Sequence, residues 1–200
     1  DQSEVARIAQ ENAVSPMMAA ALYARGLRET DDIQAFLHPS LAQLHDPFLL
    51  PDMQAAVDCI RFAVQEQESI AVYGDYDVDG ICATAIMTRY LSAIGAAVRY
   101  FIPSRHTDGY GMNEKTVRML AEDGVKLIVT VDNGVSAKPE IALAYALGME
   151  VVVTDHHQCP DKLPECAAVI DAEREGSRYP FSKICGAGVA LKLVQALGCE

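Results

Sequence analysis

Three apolar, β-branched runs in this chain each end on aspartate. Ser69-Ile-Ala-Val leads into Tyr73-Gly-Asp75-Tyr-Asp77-Val-Asp79-Gly80, Val129-Thr-Val into Asp132-Asn-Gly134, and Val151-Val-Val-Thr into Asp155-His156-His157. A carboxylate at the end of a buried strand is costly unless it is paired or holds a cation. The same costly group recurring at equivalent places predicts one metal site assembled along the carboxyl edge of a parallel sheet.

Runs 69–74 and 126–131 show no alternation of polar residues, the pattern of strands covered on both faces. Strands are predicted at 69–74, 97–102, 126–131, 150–154 and 167–170, and helices at 81–94, 113–122, 136–147 and 184–197. Alternation of the two predicts an α/β fold, a parallel β-sheet flanked by helices. Residues 1–68 read as a helical amino-terminal segment, with helices over 16–24, 31–37 and 53–67 separated by turns around Pro39, Pro47 and Pro51. The expected organisation is therefore 1–68 as that segment and 69–200 as the catalytic domain. Residues 155–182, with Pro160, Pro164, Gly176 and Pro180, read as a surface excursion near the site.

Composition narrows the function classes. No run approaches the roughly 18 apolar residues of a spanning helix, so the chain is read as cytoplasmic and without a membrane partner. Its six cysteines contain no C-x-x-C pair and are expected as buried free thiols, not a zinc knuckle or a disulfide framework. With 28 acidic against 16 basic side chains, net charge is -12, which speaks against a simple electrostatic nucleic-acid binder. Bound divalent ions would offset that charge locally and let an acidic site receive a phosphodiester.

In Asp75-x-Asp77-x-Asp79-Gly80, alternate aspartates of an extended or turning segment point the same way and can share a cation, with a helix expected from about Ile81. A calcium loop would need a glutamate twelfth from Asp75, where Met87 stands. A purely structural turn is the other reading. Asp132-Asn-Gly134 could close a hairpin, but residues 137–147 look helical, so a strand-to-helix elbow bearing a ligand is favoured. Asp155-His156-His157 puts imidazoles beside a carboxylate, which suits manganese, iron or zinc, whereas the predominance of aspartate suits manganese or magnesium. One histidine can bind metal while its neighbour contacts phosphate or donates a proton. Between strand and helix, Arg105 could pair with a phosphate, Gly109 and Gly111 allow close approach of the backbone, and Tyr110 could stack on a base or pack within its loop. Gly186-Ala-Gly188 reads as a closely packed helix start; Leu191 at the sixth position excludes a dinucleotide fingerprint.

In order, GDYDVDG, SRHTDGYG, TVDNG and TDHH resemble the motifs of the DHH phosphoesterase superfamily, and within it the RecJ branch of single-strand-specific exonucleases. The helical lead-in, with Ala24-Arg25-Gly26 and Phe36-Leu37-His-Pro39, is similar to that branch too. The resemblance implies hydrolysis of single-stranded DNA from its 5′ end, releasing 5′-mononucleotides, with two Mn2+ or Mg2+ ions. By position, it assigns Asp77 to the first metal, Asp79 and His156 to the second, and Asp132 to both. It sets His157 against the scissile phosphate and gives Asp75 a supporting or water-mediated role. Arg105, Gly109, Tyr110 and Gly111 would hold the nucleic-acid end. Other branches carry a histidine where Tyr73 stands, so that ligand is missing here. A fourth metal-binding aspartate, a second domain and an oligonucleotide-binding barrel are expected beyond residue 200, which makes the chain an amino-terminal portion with little activity alone.

The resemblance also implies a monomer working with single-strand-binding protein and helicase partners. Alternatives are a nanoRNA, cyclic-dinucleotide or pyrophosphate hydrolase of the same superfamily, and a non-catalytic replication-associated DNA-binding protein. Asp77, Asp79, Asp132 and His156 occurring together argue against lost chemistry.

Overall fold

Local chemistry starts the helices of the first 45 residues. In α1 (Gln2–Glu11), the Asp1 carboxylate accepts the Ser3 N–H, and in α2 (Pro16–Ala24) the Ser15 hydroxyl accepts the Met18 N–H with Pro16 at the first helical position. With α3 (Thr30–Leu37), these helices close a small core of Ile8, Ala19, Leu22 and Ile33. The helix α1 is absent from the sequence-based prediction, although Val5, Ile8 and Ala9 carry a readable helical stripe. The computed structural model describes residues 1–105, 109 and 111–198, and it separates Asp1–His45 from a second unit, Asp46–Glu200.

The second unit holds α4 (Met53–Gln65), β1 (Ile70–Tyr73), α5 (Val78–Ala93), β2 (Val98–Phe101), α6 (Glu114–Glu122), β3 (Leu127–Val131), α7 (Lys138–Ala146), β4 (Glu150–Thr154), β5 (Ala168–Ile170) and α8 (Gly186–Leu197). All five strands pair in parallel in the order β2-β1-β3-β4-β5. The helical lead-in of the sequence reading runs to residue 68, whereas α4 lies in this second unit. Its stripe of Met53, Val57 and Ile60 is buried in the sheet's own core, which explains the attachment.

Side chains alternate between two layers because successive strand residues point to opposite faces. Ile70, Val72, Leu127, Val129 and Val152 meet α4, α5 and α8, whereas Ala71, Tyr73, Ile128, Val151 and Val153 meet α6 and α7. Each fully buried aliphatic side chain contributes about 1.5–3 kcal/mol relative to exposure. Both faces of β1 and β3 are buried, as their continuous apolar character predicts. At the edge, β2 is only half covered.

From β1 the chain moves outward to β2, then returns across β1 to β3, so strand order reverses between β1 and β3. In an open α/β sheet, such a switch point leaves a crevice beyond the strands' carboxyl ends. Two of the three aspartate clusters follow these two strands. Two sequence expectations change locally. The helix predicted from Ile81 begins at Val78, because the Asp77 carboxylate accepts the Gly80 N–H (2.9 Å) and caps it. The cysteines are free as expected, yet Cys82 and Cys185 are exposed and Cys59, Cys159 and Cys166 only partly buried; Cys199 lies outside the described residues.

Candidate metal centre

Asp75 leaves β1 buried, with Oδ1 lacking a hydrogen-bond partner. Asp77, exposed, caps α5, and Asp79 sits in its first turn, so these two project from a helix start and not from an extended run. Gly80 lets the chain double back against Asp75: a Cβ there would stand 2.6 Å from the Asp75 carbonyl oxygen.

Asp132 follows β3 in the left-handed region, with φ at 63°, and is 1% exposed. Its backbone N–H donates to Thr154 O (3.0 Å), tying the elbow to β4. Asn133 secures it further, donating to Tyr73 O (3.1 Å) and Val131 O (3.0 Å). Asp132 Oδ1 has no hydrogen-bond partner although His156 Nε2 lies 3.1 Å away, and the same nitrogen is 3.6 Å from Asp79 Oδ2. An imidazole nitrogen and carboxylate oxygens converging without hydrogen-bond alignment is how ligands of one cation are placed.

Two groups of ligand atoms meet around Asp132. One oxygen from each of Asp75, Asp77 and Asp132 falls within 4.8 Å of the others, as does one atom from each of Asp132, His156 and His157. Burial, followed by the neighbouring Asp79 and Asp77, pushes the Asp132 carboxyl up to about 7. Burial likewise raises Asp75. Crowded acids of this kind need positive charge to remain ionised together. The orphaned oxygens and this oxygen-rich set with one or two imidazoles fit Mn2+ or Mg2+.

Asp155 does a different job. Its carboxylate accepts from Val135 N (2.9 Å), His156 N (2.8 Å), His157 N (3.2 Å) and His157 Nδ1 (2.7 Å). Burial alone would raise it, but the bonds from His157 and the backbone outweigh burial and hold it below the usual carboxylate range. The same Asp155 bond pushes His157 up to about 9. That bond favours the charged imidazole and fixes the ring through Nδ1. The sequence reading counted Asp155 among the strand-end acids of the metal site, whereas it is in neither group of ligand atoms and its oxygens are taken by these N–H donors. A cavity of about 480 Å3 opens beside His157, lined among others by Gly111, Asn133, Ser136, Glu140 and Gln158.

The Arg105 segment is partly described. Arg105 is exposed, its guanidinium 5.7 Å from the Tyr76 ring centre; Gly109 and Gly111 have φ of 79° and 73°. Tyr110 lies outside the described residues. Tyr73 ends β1, fully buried. Its hydroxyl donates to Gly111 O (3.1 Å) and accepts from Asn113 Nδ2 (3.3 Å), so it anchors the glycine segment from beneath.

The profile of the DHH family, N-terminal domain, matches residues 69–200, the whole run of aspartate and histidine clusters. The chain belongs to the DHH family. This DHH chain is 39% identical over 197 residues to the single-stranded-DNA-specific exonuclease RecJ of Bacillus subtilis, covering 98% of this chain and 25% of that protein. RecJ of Thermus thermophilus is 38% identical over 186 residues, with 92% and 26% covered. The DHH chain overlays a manganese-bound T. thermophilus RecJ structure with a TM-score of 0.76 at 32% identity, covering 98% and 27%. A second manganese-bound RecJ structure gives 0.68 at 37%, covering 74% and 37%. The chain thus spans about a quarter to a third of the length of the curated relatives it matches.

One acid of this DHH chain escaped the sequence reading. Asp171, fully buried, follows β5 as Asp132 follows β3, and that strand-then-aspartate signal was available. Oδ1 accepts the Glu173 N–H (2.7 Å) while Oδ2 has no hydrogen-bond partner, and burial, then the charge of Asp155, push it up to about 6. Its folded value exceeds the unfolded 3.8, so its contribution is intact below pH 4 and lost as pH rises through 6, a change of about 3 kcal/mol. Urea unfolding of Asp171→Asn should therefore shift in the variant's favour by about that amount between pH 4 and pH 7.5. A variant-to-wild-type difference that is flat across this range would contradict the assignment.

Proposed function

We propose that the whole protein containing this chain is a two-metal phosphodiester hydrolase that removes 5′-mononucleotides from single-stranded DNA. The observation that carries this reading is the sharing of Asp132 between two groups of ligand atoms, Asp75 and Asp77 on one side and His156 with His157 on the other. Asp77 is assigned to one metal, Asp79 and His156 to the other, Asp132 to both, and Asp75 to support of the first. Mn2+ or Mg2+ held there would supply Lewis-acid charge for a phosphate oxygen and lower the pKa of an attacking water.

The chain's own residues do the rest. Asp155 holds the His157 ring by Nδ1 and so orients its Nε2 toward a phosphate oxygen. Beside it, the cavity lined by Gly111 and Asn133 gives the departing nucleotide room. The RecJ relatives, named for single-stranded DNA, support that substrate class. Arg105, Gly109, Tyr110 and Gly111 are assigned to the DNA end. We further assign the protein to the cytoplasm as a monomer acting with single-strand-binding protein and a helicase; among the described residues no helix is long and apolar enough to cross a membrane.

The test is Mn2+-dependent digestion of labelled 5′-tailed, 3′-tailed and fully duplex DNA by the whole protein. Mononucleotides released only from single-stranded 5′ ends are expected. Cleavage of dinucleotides or pyrophosphate with no attack on long DNA would replace this reading by a small-phosphoester hydrolase. Arg105→Ala should weaken binding of 5′-phosphorylated single strands about tenfold while leaving Mn2+ affinity unchanged, because it removes a phosphate contact and no metal ligand. Equal DNA affinity in a metal-loaded variant would remove Arg105 from the interface.

A further inference from the structure

The first turn of α8 meets two of the proposed metal ligands at once. Its leading N–H groups have no partner within the helix, and Cys185 at the cap offers no side-chain bond. Gly186 N–H donates to Asp79 Oδ2 and Ala187 N–H to Asp79 Oδ1, both at 2.7 Å. An aspartate from the start of α5 thus caps a helix that begins 107 residues later, and both its oxygens are held. The second contact is steric. A Cβ on Gly186 would stand 2.3 Å from Asp132 Oδ1 and 2.6 Å from its Cγ. That Oδ1 is the buried oxygen without a hydrogen-bond partner.

From these contacts we infer that Gly186 is a positioning residue of the metal centre: its missing side chain is the space that the Asp132 carboxylate occupies, while its N–H orients Asp79. The inference rests on the metal-centre reading above. Neither partner can retreat easily. Val189, Ala190 and Leu193 bury α8 in the core beside α5, and Asp132 is held by its bond to Thr154 and by Asn133 bracing the same elbow. Any side chain at 186 therefore turns the Asp132 carboxylate away from the point where His156 and Asp79 converge. Gly188, two residues on, is the internal control. Its added Cβ would meet Ile184 Cγ1 at 2.6 Å, a clash with an apolar side chain and with no ligand.

Mn2+ binding by the whole protein, read by electron paramagnetic resonance of the free ion, separates these roles. Gly186→Ala should raise the half-saturating Mn2+ concentration at least tenfold, and Gly188→Ala should leave it within twofold of wild type whatever its melting temperature. Should Gly186→Ala melt early, its coupling to Asp132 still reports. In metal-free protein, the loss of melting temperature from Gly186→Ala should disappear in an Asp132→Gly background, which suits the left-handed backbone there and removes the three nearest atoms, Oδ1, Cγ and Cβ. Unchanged Mn2+ affinity in Gly186→Ala, or an equal melting loss in both backgrounds, would overturn the inference. Wild-type protein that binds Mn2+ but cuts no DNA would refute the exonuclease reading and leave this one standing. Wild type that takes no Mn2+ would overturn both.

Discussion

Asp132→Asn in the whole protein is expected to lower Mn2+-dependent cleavage at least about a thousandfold while the fold melts no lower than wild type. Removing a carboxylate shared by two ligand groups weakens both. The stability half of the expectation has a separate cause. Asp132 is almost fully buried, and burial with Asp79 and Asp77 already pushes its carboxyl up to about 7, so the charge costs the metal-free fold energy. Asparagine keeps the shape, drops the charge and tolerates the left-handed backbone at φ 63°. Single-turnover digestion and thermal melting, measured together, test the pair of effects. Cleavage within threefold of wild type would remove Asp132 from the shared position; a large melting loss would mean that the charge is structural.

Asp155→Asn is expected to reduce kcat about a hundredfold with a smaller effect on Mn2+ half-saturation than Asp132→Asn. Four N–H groups converge on this carboxylate, from Val135, from the His156 and His157 backbone, and from the His157 ring. An amide offers one oxygen where the carboxylate offers two, so one side must meet donor against donor. The buried mismatch costs about 1–3 kcal/mol of stability. His157 loses the charged acceptor that pushes it up to about 9 and keeps at best a neutral amide oxygen, which weakens both its charge and its fixed orientation. The kcat and metal-saturation curves of both variants distinguish the roles. If Asp155→Asn keeps wild-type kcat, His157 needs no fixed orientation.

Much of this arrangement was legible in the chain. Apolar runs ending in Asp75, Asp132 and Asp155 predict strand ends along one edge, and the strands and their parallel pairing follow that pattern. Less legible was Asp77. Its neighbours read as an extended or turning segment before a helix from about Ile81, but capping of Gly80 places it at the helix start, because the carboxylate competes for helix N–H groups as well as for cations. Residues 46–68 were grouped with the helices before them, since helical periodicity does not reveal which core a stripe joins; α4 joins the sheet. Asp171 carried the same strand-then-acid signal as the recognised clusters but lay inside a proline-rich stretch read as surface.

The sequence by itself determined the chemistry on offer: which strands would be buried, which acids would stand at their ends, and which imidazoles would lie beside them. These are consequences of local pattern and of the cost of burying charge. Only the tertiary structure decided how those groups meet. Strand order puts β1 and β3 side by side at the switch point, although 57 residues separate Tyr73 from its partner Thr130, and α8 arrives from further still to hold Asp79 and leave room for Asp132. Contacts between residues so far apart in the chain depend on how the layers pack, and no local periodicity encodes the missing Cβ at Gly186.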